Sequence, residues 1–132
     1  NKRYLKFISE IETPDGGVEK LHQLTHTQRD DQGRRYKGFN LLAEEDTSLF
    51  RLLLQGEMVI QGISNKLIRQ RMPDKNSGQV TRLLKRLRMH GILKRAGKRY
   101  RYYLTDFGRQ VVALALKLRE MVIIPALARA PV

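Results

Sequence analysis

The chain has 132 residues, 41% hydrophobic and 30% charged, which suits one compact domain with a core of its own. Its net charge of +13 and pI near 10.5 point to an anionic partner: nucleic acid, anionic lipid or acidic protein. The absence of Cys excludes disulfides, thiolate nucleophiles and Cys-based zinc sites and fits a reducing compartment, so a cytoplasmic location is expected. No apolar run approaches the ~20 residues of a bilayer span, no signal-peptide pattern opens the chain, and a start at Asn1 rather than Met leaves room for a longer parent protein.

"NKRYLKFISEI" places Tyr4, Leu5, Ile8 and Ile11 on one face of an amphipathic helix, which "TPDGG" ends with Pro and paired Gly. A second helix over "VEKLHQLTHTQ" turns Val18, Leu21 and Leu24 or Thr25 inward. "RDDQGRRYKGFN" (29–40) is polar and turn-rich, an exposed connector in which Gln32-Gly33 suits a short hairpin. Residues 1–43 are thus expected to form an N-terminal helical arm and connector.

Residues 44–128 read as the second unit. Glu44, Glu45 and Asp46 suit a helix N-terminus, where negative charge is favoured and Asp46 can cap. The helix continues through "TSLFRLLLQ" to Gly56, its expected C-terminal stop. "EMVIQG" alternates weakly, as a short strand ahead of Gly62 would. Ser64 caps a helix over "NKLIRQRM", ended by Pro73. After the turn "DKNSG", Ser77 is expected to cap a third helix that runs to His90 and closes at Gly91. "ILKRAGKRYRYYL" reads as two strands around a tight Ala96-Gly97-Lys98 turn. Thr105 caps a final long helix from Asp106, interrupted near Pro125.

The predicted fold class is therefore mainly α with a small β-hairpin wing. Helix, short strand, helix, helix, strand, turn, strand, helix is the order of a winged helix-turn-helix, flanked here by an N-terminal arm and a long C-terminal helix. "VTRLLKRLRMHGILKRAGKRYRYYLTDFGRQVV", with its "LRMHGIL" helix end and the "YYLTDFGR" after the wing, carries a family resemblance. Residues 44–124 resemble the winged-helix domains of MarR-like and PadR-like bacterial transcriptional regulators. The resemblance implies duplex DNA binding through a recognition helix (77–90) and a basic wing (92–104).

The charge distribution agrees with that implication. Lys75–Thr105 holds ten of the 26 basic residues in 31 positions and no Asp or Glu, whereas ten of the 13 acids lie in the first 57 residues. On the third helix Val80, Leu83, Leu84 and Leu87 share one face, with Gly78, Arg82, Lys85 and Met89 opposite. The N-terminal part of such a helix faces base edges, so Gln79, Thr81, Arg82 and Lys85 are the base-reading candidates. Ser77 and Gly78 can meet a phosphate at the helix N-terminus, and Arg86, Arg95, Lys98, Arg99 and Arg101 supply further backbone contacts. Taken alone, a helix of this kind is equally well explained by a solvated face. The adjoining basic wing favours nucleic acid. Tyr102 and Leu104 are expected to pack rather than stack on bases.

Other constellations weigh less. His22 and His26 have the i, i+4 spacing of metal ligands, but position 23 is Gln and further ligands are missing, so no metal and no cofactor are expected. Consecutive Glu44, Glu45 and Asp46 point in different directions, and no phosphate loop or nucleophile motif is present, so the protein is not read as an enzyme. Val111, Leu114, Leu118 and Met121 repeat like a coiled-coil seam, with Val112, Leu116 and Ile123 as a second stripe. One stripe closes the core. The other is expected to meet a second copy, an attached larger chain or residues 1–27. "MVIIP" is too short, and too closely preceded by Arg119 and Glu120, for a membrane partner. The rivals to duplex DNA are RNA or a ribonucleoprotein, and a protein-interaction winged helix in a larger assembly.

Overall fold

The computed structural model describes residues 17–97 and 100–123. The expected helix over 1–11, the "TPDGG" stop, Lys98, Arg99 and the break near Pro125 lie outside them. The described residues are mainly helical, with two small two-stranded antiparallel sheets. In chain order they are α1 (Gly17–Thr25), β1 (Gln28–Arg29), β2 (Arg35–Tyr36), α2 (Glu44–Leu53), α3 (Gly56–Gln61), α4 (Asn65–Arg71), α5 (Ser77–Met89), β3 (Leu93–Arg95), β4 (Tyr102–Leu104) and α6 (Asp106–Leu118). α6 runs on into a π-helical turn, Arg119–Ile123.

The connector does contain a hairpin. β1 and β2 pair through Gln28 with Tyr36 and Arg29 with Arg35, and Gly33 at φ +79° lets the chain reverse. The second hairpin pairs Leu93 with Leu104 and Arg95 with Tyr102. Ser64 caps α4 by accepting from the Leu67 N–H, Thr105 caps α6 by accepting from the Gly108 N–H, and Gly91 at φ +78° closes α5, all as expected.

Four local expectations are corrected. Asp46 does not cap α2: Ala43 occupies that position without a side-chain bond, and the Asp46 carboxylate accepts from the Asn40 N–H at 2.8 Å. Gly56 is not a helix stop but the first residue of α3, and "EMVIQ" is helical rather than a strand. Its weak alternation loses to burial of Met58, which a single helical turn aims into the core while Val59 and Ile60 stay exposed. Sheet pairing moves past Gly62 to Ile63, whose N–H donates to the Tyr102 carbonyl at 2.7 Å and whose carbonyl accepts from the Tyr102 N–H at 2.8 Å. Finally, Asn76 rather than Ser77 caps α5. Its side chain accepts from the Gln79 N–H while the Gln79 side-chain carbonyl accepts from the Asn76 N–H, a closed capping box.

The core gathers Phe39, Leu49, Phe50, Leu53, Ile68, Val80, Leu84, Leu87, Ile92, Val111 and Val112. α6 packs against α1 and α2. Of the coverings expected for the stripes of this helix, the one from within residues 1–27 is present, through α1: Val111 and Leu118 are fully buried inside the chain, Leu114 is partly covered, and Met121 is 53% exposed. Of the other stripe, Val112 is fully buried and Leu116 packs on the core. α1 is the element that makes the difference, and of its expected inward residues Leu24 is buried whereas Val18 is 38% exposed. Arg119 then ties the π-turn to α2, donating to the Leu41 carbonyl at 2.8 Å and to Glu44 at 3.1 Å. Among the described residues, no helix is long and apolar enough to cross a membrane.

Candidate nucleic-acid interface

α4 and α5, separated by residues 72–76, are joined by one polar residue. Asn65 donates to the Ser77 carbonyl at 2.9 Å and to the Thr81 hydroxyl at 3.0 Å, and its amide oxygen accepts from Arg69 at 2.7 Å. Ile68, Val80, Leu84 and Leu87 fill the apolar side of this pair of helices. On the α5 face expected opposite the core, Gly78 and Arg82 are exposed and Lys85 and Met89 half-buried; on its flanks Gln79, Thr81 and Arg88 are exposed and Arg86 is half-buried.

The base-reading candidates differ in how free they are. Arg82 is exposed and keeps only a long 3.5 Å contact with the Gly78 carbonyl. The Gln79 side-chain carbonyl is used by the capping box, which leaves its NH2 group as the donor facing out. The Thr81 hydroxyl already donates to the Ser77 carbonyl and accepts from Asn65. Lys85 leans onto the connector hairpin, 3.8 Å from the Asp30 carboxylate and 5.8 Å from the centre of the Tyr36 ring.

Arg86, expected to contact a phosphate, is committed to the fold. Its Nε donates to the Lys37 carbonyl and its Nη2 to the Gly38 carbonyl, both at 2.7 Å, and the guanidinium lies 3.9 Å from the Phe39 ring centre. Asp46 stands 3.9 Å away. Burial lowers the pKa of Arg86 from its ordinary value, against the pull of Asp46 and Glu45.

On the second hairpin Arg95 lies 4.7 Å from the ring centre of Tyr100, which is 77% exposed. Arg101 donates to the Gln61 carbonyl at 2.6 Å, so this candidate is drawn toward the end of α3. Tyr102 and Leu104 pack against the core, as expected. Arg88 sits 5.8 Å from the Tyr102 ring centre, joining α5 to the hairpin.

Two features of the surface are not among the residues expected from the sequence. The first is Asn65, whose role depends on partners 12 and 16 residues away. The second is the connector: Arg35, Tyr36, Lys37 and Asn40 form one wall of an open groove of about 610 Å3 whose other wall is Gln79, Arg82, Leu83 and Arg86 of α5. The "GRRYK" run was the available signal. Lys75 and Glu45 face each other in this groove at 2.6 Å, and that hydrogen bond and charge hold the Glu45 carboxyl below its ordinary pKa despite some burial.

His22 and His26 stack with ring centres 3.5 Å apart, and the His26 Nδ1 is 2.8 Å from the His22 carbonyl. His90 is fully buried between the Arg86 and His26 carbonyls, at 2.8 and 3.0 Å. Compared with protein-family models, curated proteins and solved structures, the chain matches none of them.

Proposed function

We propose that the chain is a winged helix-turn-helix module that binds duplex DNA, with α4 and α5 as the helix pair and β3–β4 as the wing. One observation carries the reading: α5 presents Arg82 and Gln79 outward from within a stretch, Lys75–Thr105, that holds ten basic residues and no carboxylate side chain. Phosphate neutralisation would supply most of the affinity, and an outward Arg at the first turns of the helix supplies base preference, because Arg pairs bidentately with guanine. The arrangement suits a transcriptional regulator of the MarR-like or PadR-like kind, or the DNA-binding part of a larger mobile-element or replication protein. The reading requires no cofactor.

Binding to duplex DNA, single strands and structured RNA over a salt series tests the proposal. Duplex affinity should fall steeply, with a slope of log K on log salt of about −0.9 per phosphate neutralised. A slope near zero, or no duplex binding at low salt, overturns it. Tighter binding to structured RNA would favour the ribonucleoprotein reading, since the deep, narrow A-form major groove excludes α5.

A further inference from the structure

The groove between the connector and α5 has an arrangement that the wing does not account for. At about 100° per residue, Gln79, Arg82 and Arg86 lie on one flank of α5, whereas Ser77, Thr81 and Arg88 lie on the opposite flank. The second flank is taken by α4, through Asn65, and by β4, through Tyr102. The first flank faces Arg35, Tyr36 and Lys37 across the groove. The β1–β2 hairpin and the wing therefore stand on opposite sides of α5.

The hairpin is built to hold a position. Asp30 accepts from the Gln32 and Arg34 N–H groups, both at 2.9 Å, and from the Tyr36 hydroxyl at 3.3 Å. Lys85 and Arg86 fasten its base to α5, the first through Asp30 and the second through the Lys37 and Gly38 carbonyls. The side chains of Arg29, Arg34, Arg35 and Lys37 stay exposed. Four acids stand near them: Asp30, which is engaged by these hydrogen bonds and Lys85, exposed Asp31, and Glu45 and Asp46 in the same groove, which face Lys75 and Arg86.

We infer that the β1–β2 hairpin is a second phosphate-binding arm, which grips the duplex backbone on the flank of α5 opposite the wing. The inference rests on the duplex-binding reading and deepens it. α5 enters a groove whose two bordering backbones are then met by different elements, the wing on one side and Arg34, Arg35 and Lys37 on the other. Since these side chains meet phosphate, they add affinity without sequence preference.

The test compares the parent chain, R34A/R35A/K37A and R82A on a duplex of about three helical turns, roughly 30 base pairs, across a salt series. Every phosphate that a variant no longer neutralises lowers the magnitude of the salt slope by about 0.9, so the hairpin variant should drop by about two to three in slope on every sequence. R82A should drop by no more than about one. Duplex addition should also slow amide exchange across Gly33–Lys37 in the parent. If the parent binds with a steep slope while the hairpin variant keeps both its slope and its affinity, the arm is wrong and the duplex reading stands. If the parent itself shows no salt-dependent duplex binding, both fall together.

Discussion

Arg86 and Phe39 form the joint between the connector and the basic helix: the guanidinium lies 3.9 Å from the ring centre and donates to the carbonyls of Lys37 and Gly38 on the same segment. A cation on the most basic helix is thus used to hold the chain 49 residues away in place. Removing it leaves those carbonyls without their partner and exposes Phe39. Arg86→Ala should therefore lower unfolding stability by about 2–3 kcal/mol, the range for a charge-assisted hydrogen bond at a partly buried site. Denaturant unfolding of the variant measures this. Arg82→Ala, at an exposed position, should change stability by less than about 0.5 kcal/mol. Equal stability of the two variants would remove the structural role assigned to Arg86.

The glycines of α3 and α6 should respond in opposite ways to the same methyl group. Gly56 is helical with nothing within 4 Å of an added Cβ, so Gly56→Ala should stabilise by about 0.4–1 kcal/mol through the unfolded chain's reduced freedom. At Gly108 the same Cβ would stand 2.2 Å from the Ile92 carbonyl oxygen, a backbone atom that cannot step aside. Gly108→Ala should force α6 off the β3 entry and lower the melting temperature markedly. Melting curves of the two variants decide the matter, and a rise at Gly108 would show that α6 does not pack this closely.

Stability should fall on mild acidification because of His90. Burial lowers its pKa from the ordinary value of 6.5, the Arg86 and His26 carbonyls oppose that shift, and the Arg86 charge adds to it. The unfolded chain therefore binds this proton more readily than the native one. The stabilisation is complete above the unfolded pKa and is lost as pH falls through the lower, folded pKa. The carboxyl groups of Asp30 and Glu45 are also lowered, so their contribution is present above the ordinary carboxylate range and disappears at more acid pH. A melting series from about pH 8 to about pH 5 should show the first loss in the parent and a flatter profile in His90→Gln. A parent profile that is flat, or that rises toward acid, contradicts the sign.

Leu118 at the end of α6 and Met121 in the π-helical turn after it separate the buried seam from the exposed surface. Leu118 is fully buried and Met121 is 53% exposed. Leu118→Ala should cost about 2–5 kcal/mol, as for other large-to-small core changes, with no dependence on protein concentration. Met121→Ser should stay within about 0.5 kcal/mol. If Leu118→Ala instead shifted a dimer to a folded monomer of unchanged stability, the seam would lie between two copies after all.

Much of the candidate interface was legible without coordinates because its signals are local. Periodicity over Val80, Leu83, Leu84 and Leu87 determined which side of α5 is buried, and the strand-like runs at Leu93–Arg95 and Tyr102–Leu104 determined the second hairpin, since each rests on the 3.6- or 2-residue repeat of its own element. The caps at Ser64 and Thr105 likewise need only the next three residues. Tertiary structure decided everything that depends on distant partners. "EMVIQ" became helical because Met58 is needed in the core, and Gly56 began a helix because α2 had already ended at Leu53. Val111, Val112 and Leu118 closed within the chain because α1 and α2 pack on α6, a pairing that no repeat within α6 encodes. Charge is the clearest case. The count of basic residues is a property of composition, but whether a given one meets solvent or a carbonyl depends on which backbone oxygen the fold brings within reach. For that reason Arg82 and Arg86, one helical turn apart and alike in sequence, came to opposite uses.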